Sequence, residues 1–145
     1  MLKVDTKSLQ NAKINPKEVL NITGKHSLEV GFFASATYPS GEYVAQVAYW
    51  QEYGTIRIPM RPFFRNAIEK NNKKWFDTFE ALIKQNVNEA QALAKVGEMA
   101  RGDIIKSITQ FREPANAPST IKAKGSSNPL IDTGLMRRSV TYKVI

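Results

Sequence analysis

The sequence predicts an α+β domain: a small, mainly antiparallel sheet packed against two long amphipathic helices, with a long loop before the C-terminal strand. Three observations predict it. Phe64, Ile68, Trp75, Phe79 and Leu82 recur at helical spacing, and so do Leu93, Gly97, Ala100, Ile104, Ile108 and Phe111. Leu28, Val30 and Phe32 alternate with Glu29 and Gly31, and Val140, Tyr142 and Val144 alternate with Thr141 and Lys143. Pro and Gly punctuate the chain between these segments.

Bulk composition sets the frame. A chain of 145 residues fits one domain and can bury a hydrophobic core without staples. It has no cysteine, so neither a disulfide framework nor a thiolate metal site is available. Met1 to Lys7 lack the apolar core of a signal peptide, and no apolar run is long enough to span a bilayer. No membrane contact is expected, and Asn21-Ile22-Thr23 is therefore read as a chance sequon. The net charge is +8. Residues 101–145 hold eight basic residues against three acidic ones, which leaves +5 of the +8 there. Such a balance attracts polyanions, either nucleic acid or an acidic protein surface, and it also keeps a protein soluble.

In chain order, residues 1–27 form a polar N-terminal segment without a clear pattern, and residues 28–145 form the single domain. Pro16 opens a short helix that Gly24 ends. Ser27 to Ala34 is a strand. Tyr38-Pro39-Ser40-Gly41 has the type I turn pattern, and a second strand from Glu42 would close a hairpin. Residues 44–53 fit two patterns. Val44, Val47, Ala48 and Gln51 have helical spacing, while the β-branched start suits a strand, so a strand passing into a short helix ended by Gly54 is expected.

Residues 54–62 form a loop, and Pro62 suits the first turn of the helix that reaches Lys84. Asn86-Val87-Asn88 breaks the pattern, and Asn88 caps the next helix, to about Gln110. Gly97 and Ala100 are small residues inside its stripe. They admit close approach of another backbone, at a helix-propensity cost of about 1 kcal/mol for the glycine. Residues 112–132 form a long loop with a helical turn or two at 118–124. Asp132-Thr133-Gly134 caps a short turn through Leu135 and Met136, before a final strand from Ser139 to Val144.

Catalytic chemistry finds little footing. The lone His26, at the edge of the first strand, is expected at the surface, because one histidine supplies neither a triad nor a multi-histidine metal site. Residues 97–102 have P-loop glycine spacing, but Asp103-Ile104 follows where phosphate binding needs Lys and then Ser or Thr. Asp77 and Glu80 share a helix face without a catalytic partner nearby in sequence. Arg57, Arg61, Arg65, Lys70, Lys73 and Lys74 surround Phe63, Phe64 and Trp75, a recipe for single-strand binding. The aromatics fall at helical spacing, however, and are read as core. Arg61 and Arg65, at i and i+4, are expected to face outward together.

Two segments carry a more specific signal. Val44-Ala45-Gln46-Val47-Ala48-Tyr49-Trp50-Gln51-Glu52-Tyr53-Gly54-Thr55 followed by Ile58-Pro59-Met60-Arg61-Pro62-Phe63-Phe64 resembles the signature of tail-completion and head–tail connector (neck) proteins of long-tailed bacteriophages and prophages. Residues 114–125 and then Pro129-Leu130-Ile131-Asp132-Thr133-Gly134-Leu135-Met136 resemble that family's second segment. The pair occurs in the family's order and covers most of residues 28–145.

The resemblance implies a structural virion protein assembled in the bacterial host cytoplasm, a ring-forming subunit of the neck or tail end, without catalytic residues, metal or cofactor. It implies contact with other neck, connector or tail-tube proteins. Candidate subunit or partner contacts are Glu52, Arg57, Arg61, Arg65, Lys122, Lys124, Asp132 and Arg137, with the loops at 54–61 and 112–132 as contact segments. Glu52 either pairs with Arg57, Arg61 or Arg65 and fixes the loop, or is a surface carboxylate. The basic residues would face an acidic partner or channel DNA. Two other readings are a basic nucleic-acid-binding module, with steep salt dependence, and an enzyme, which needs a pocket of converging polar groups.

Overall fold

The computed structural model describes residues 3–5, 24–112, 122 and 134–145. The helix expected at Pro16, the loop at 113–121 and 123–132, and the cap role of Asp132 lie outside the described residues. The architecture is α+β, with two long helices packing on a small antiparallel sheet. The residues fall into two compact units, each assembled from separate segments.

The first unit comprises Met1–Gly31, Lys70–Gly102 and Thr141–Ile145. Its sheet has the order β1-β2-β3, with β1 at Lys3–Asp5, β2 at Ser27–Phe32 and β3 at Val140–Val144. β1 runs antiparallel to β2, with Lys3 opposite Glu29 and Asp5 opposite Ser27. Pairing therefore crosses the boundary expected between residues 27 and 28. On the other side of β2, Ser27 and Ile145 exchange both backbone hydrogen bonds at 2.9 Å, the antiparallel pattern. Leu28 and Val30 point into the core, as the alternation requires.

Two helices complete this unit: the later part of α2, which is Phe63–Lys84, and the earlier part of α3, which is Glu89–Gln110. Trp75, Phe79 and Ile83 on α2 are buried, as are Ala92, Leu93, Val96 and Ala100 on α3. A large apolar side chain so buried contributes about 1.5–3 kcal/mol. The helix ends follow local rules. Val87 N–H donates to the Leu82 carbonyl and Asn86 N–H to that of Ile83, with Asn86 left-handed at φ 62°. That is a Schellman motif with asparagine where glycine is usual. Asn88 then caps α3, its Oδ1 accepting from Gln91 N–H at 2.8 Å. Gly97 does admit a close approach, but by side chains of the sheet, not by another backbone. A Cβ there would sit 2.6 Å from Tyr142 Cδ2 and 2.8 Å from Leu28 Cδ1.

His26 is only half-exposed. Its Nδ1 is buried and lies 3.8 Å from the Oε2 of the buried Glu89. The distance is too long for a hydrogen bond, and the pair is ionic only when the imidazole is protonated.

The second unit comprises Phe32–Glu69 and Asp103–Val140. The turn at 38–41 forms, with Gly41 N–H donating to the Tyr38 carbonyl at 2.9 Å. The hairpin does not. Thr37 and Tyr43 make one isolated bridge, and the chain then enters α1, Val44–Tyr53, which is helical throughout. The expected strand at its start is overridden by burial at helical intervals: Val44, Ala48 and Glu52 all lie inside. Phe32, Phe63 and Phe64 form an aromatic cluster with ring centroids 6.2–6.4 Å apart. Ile104 and Ile108 of α3 are also buried, and Ser107 Oγ donates to the Phe63 carbonyl at 2.7 Å. The short α4, Leu135–Arg138, touches α1.

Candidate functional site

The segment from Gln51 to Arg65 joins α1 to α2 through one interlocked corner. Gly54 closes α1 by donating its N–H to the Trp50 carbonyl at 2.8 Å. Its φ is 74°, and a Cβ there would meet Met60 N at 2.9 Å and Ile58 O at 3.0 Å. Both the dihedral and the space demand glycine. Thr55 then holds a turn in both directions. Its N–H donates to the Ile58 carbonyl at 2.8 Å, and its Oγ1 accepts from Arg57 N–H and Ile58 N–H at 3.2 and 3.0 Å. Ile56 at the tip is wholly exposed.

The carbonyl of Pro62 accepts from Asn66 N–H, which puts Pro62 at the cap position of α2, one residue earlier than expected. A cap residue normally satisfies the first free N–H groups with its side chain. Proline has no acceptor to offer, so Glu52 supplies one from the preceding helix. Glu52 Oε2 accepts from Phe64 N–H at 2.9 Å and Oε1 from Arg65 N–H at 3.1 Å. A carboxylate is favoured there by the positive end of the helix dipole. Arg65 completes the arrangement: its Nε donates to Oε1 at 2.8 Å and its Nη2 to the Glu52 backbone carbonyl at 3.0 Å. Glu52 is thus a buried carboxylate with its acceptors occupied, not a surface one.

Arg61 does not face outward beside Arg65. It lies before α2 begins, so the i, i+4 geometry of a helix does not apply to it. It is 3% exposed and donates through Nη1 to Gln51 Oε1 at 2.7 Å, while its N–H donates to the Gln51 carbonyl at 2.7 Å. Burial lowers its pKa from the usual guanidinium value.

Outside this frame lies an exposed apolar and aromatic surface. Tyr49 and Tyr53, one turn apart on α1, have ring centroids 4.8 Å apart, and Tyr49 is 60% exposed. The Arg65 guanidinium sits 4.9 Å over the Tyr53 ring, and its Nη2 lies 3.2 Å from Met60 Sδ. Met60 is half-exposed, and Ile56 projects from the adjoining turn.

The expected contact residues therefore separate. Glu52, Arg61 and Arg65 come together with the loop, Glu52 and Arg61 buried and Arg65 part-exposed. Arg57 is exposed beside Ile56. Arg137 is half-buried in α4, and Lys122 is exposed in a helical conformation. Lys124 and Asp132 lie outside the described residues. Sequence reasoning passed over Tyr49, Tyr53, Ile56 and Met60 as exposed groups. The signal was present in the i, i+4 spacing of the two tyrosines on the face away from Val44, Ala48 and Glu52.

Among the described residues, no three His, Asp or Glu side chains come together to hold a metal, and no helix is long and apolar enough to cross a membrane. Comparison with protein-family models, with curated proteins and with solved structures gives no match.

Proposed function

We propose that this chain is a structural, non-enzymatic virion protein of a tailed bacteriophage, a ring subunit that joins head to tail or completes the tail. The observation that carries the reading is the Glu52 corner. The residues that give the sequence its resemblance to neck and tail-completion proteins form one tertiary device: Glu52 as a cap borrowed by α2, Gly54 and Thr55 as the turn, Arg61 and Pro62 as the entry, Phe63 and Phe64 as the anchor. The device holds a loop rigid and leaves its apolar tip outside, which suits a part whose work is to be gripped. Closed rings use heterologous interfaces, where one patch meets a different patch of the next subunit. The loop at 54–61 and the sequence segment at 112–132 are the stretches proposed for contact with copies of the chain and with connector or tail-tube proteins.

Mass measurement of the purified protein, alone and mixed with connector or tail-tube proteins of a long-tailed phage, tests this. A ring-sized oligomer or a stable mixed complex is the expected result. A strict monomer that binds neither protein overturns the proposal.

A further inference from the structure

Met60 stands on the outer side of the Gln51–Arg65 corner with its sulfur beside a guanidinium. It is 52% exposed, and its Sδ lies 3.2 Å from Arg65 Nη2. We propose that Met60 is a site of reversible oxidation, at which hydrogen peroxide converts the thioether to a sulfoxide whose oxygen Arg65 then holds. Neither part of this depends on what the chain assembles with.

Access selects the residue. The described residues include two other methionines. Met136 is 3% exposed, and Met99 is half-buried on α3, where its Sδ lies 3.8 Å from the Thr78 hydroxyl. The chain has no cysteine, so no thiolate consumes the oxidant first. Peroxide in water therefore meets the Met60 sulfur ahead of the other two. In the reaction an Sδ lone pair attacks one peroxide oxygen. The S–O bond forms as the O–O bond breaks, and the departing hydroxide takes the proton of the transferred hydroxyl and leaves as water. Sulfur gives up an electron pair and the peroxide takes it.

Arg65 is set in place for the product. Its Nη2 carries two hydrogens, and the Glu52 carbonyl, at 3.0 Å, needs only one of them. The other is left for Met60. A thioether is a weak acceptor, whereas a sulfoxide oxygen carries partial negative charge, and a hydrogen bond from a cation is the stronger kind. The Met60 side chain is exposed and unbranched, so rotation about its Cγ–Sδ bond brings the new oxygen to Nη2. Arg65 itself does not have to move, because Glu52 holds its Nε at 2.8 Å and its guanidinium lies over Tyr53. Oxidation thus adds a bond to the corner and breaks none. It also turns an apolar part of the 54–61 loop polar, next to the exposed Ile56.

The test treats the full chain with dilute hydrogen peroxide in a time course, quenched with free methionine and read by mass spectrometry of the digested protein. The peptide holding Met60 should gain one oxygen roughly tenfold faster than those holding Met99 and Met136. In the singly oxidised protein the Arg65 side-chain N–H signals should shift and exchange more slowly with solvent, and the denaturation midpoint should not fall. Methionine sulfoxide reductase should restore the original spectrum. Met60→Leu should remove both the fast oxidation and the Arg65 change while keeping the fold, since the side chain is largely exposed. Oxidation of Met99 or Met136 as fast as Met60 overturns the proposal. So do Arg65 signals that oxidation leaves unchanged, or a singly oxidised protein that loses the Glu52–Arg65 contact.

Discussion

Glu52 and Arg65 meet at 2.8 Å, and the same carboxylate caps the helix on which Arg65 stands. The ion pair and the cap are one interaction. Arg65 is held twice, by its backbone N–H and by its guanidinium, so its side chain has little freedom left.

Removing that carboxylate should therefore cost more than a surface salt bridge would. Glu52→Ala leaves two helix N–H groups and the Nε of Arg65 without their acceptor, and should destabilise the protein by about 2–4 kcal/mol. Glu52→Gln keeps an oxygen for the helix N–H groups and should lose less. Urea denaturation followed by circular dichroism measures both. An alanine variant within about 0.5 kcal/mol of wild type would show that the corner does not hold the fold.

Gly54→Ala meets two obstacles. A left-handed non-glycine residue costs about 1–3 kcal/mol, and its Cβ also runs into the backbone of Met60 and Ile58. Gly41 has φ 97° and open space around it, so Gly41→Ala bears only the first cost. The Gly54 variant should have the lower melting temperature of the two, and faster proteolysis in the 54–61 loop. Equal melting temperatures would remove crowding from the account.

Two helical glycines should respond in opposite directions. Gly102 faces open space, so Gly102→Ala gains helix propensity of about 1 kcal/mol and should raise stability. Gly97→Ala gains the same propensity but drives its Cβ into the Tyr142 ring and the buried Leu28, and should lower stability by a net 1–3 kcal/mol or about that. Denaturation midpoints of the pair compare the two directly, and a stabilising Gly97→Ala would contradict the close packing of α3 on the sheet.

The long helices were legible because apolar residues recur along each at helical spacing, and both observed spans agree closely with the periodicity. Asn88 was legible as a cap for the same local reason. The strand at Ser27–Phe32 was legible from alternation, but its partners were not. The turn after it suggested a hairpin, whereas the sheet is closed by Lys3–Asp5 on one side and Val140–Val144 on the other. Pairing between distant segments leaves no local trace. α1 was half-legible, because Val44 suits either structure and the decision came from burial. Glu52 was singled out with its three possible arginines, and geometry chose Arg65. Its cap role was hidden, since nothing in the spacing says that a proline-started helix will borrow an acceptor twelve residues back. The exposed tyrosines were overlooked because aromatic residues at helical spacing usually mean core.

The corner also differs from the sheet in what its closure demands of the chain. Its bonds join residues ten to thirteen positions apart, whereas Ser27 must find Ile145 across almost the whole described chain. Loop-closure entropy grows with the logarithm of the separation, and contacts between near neighbours lead in folding. The Glu52 corner thus needs only a short loop to close, while the sheet has to bring together segments from opposite ends of the described residues.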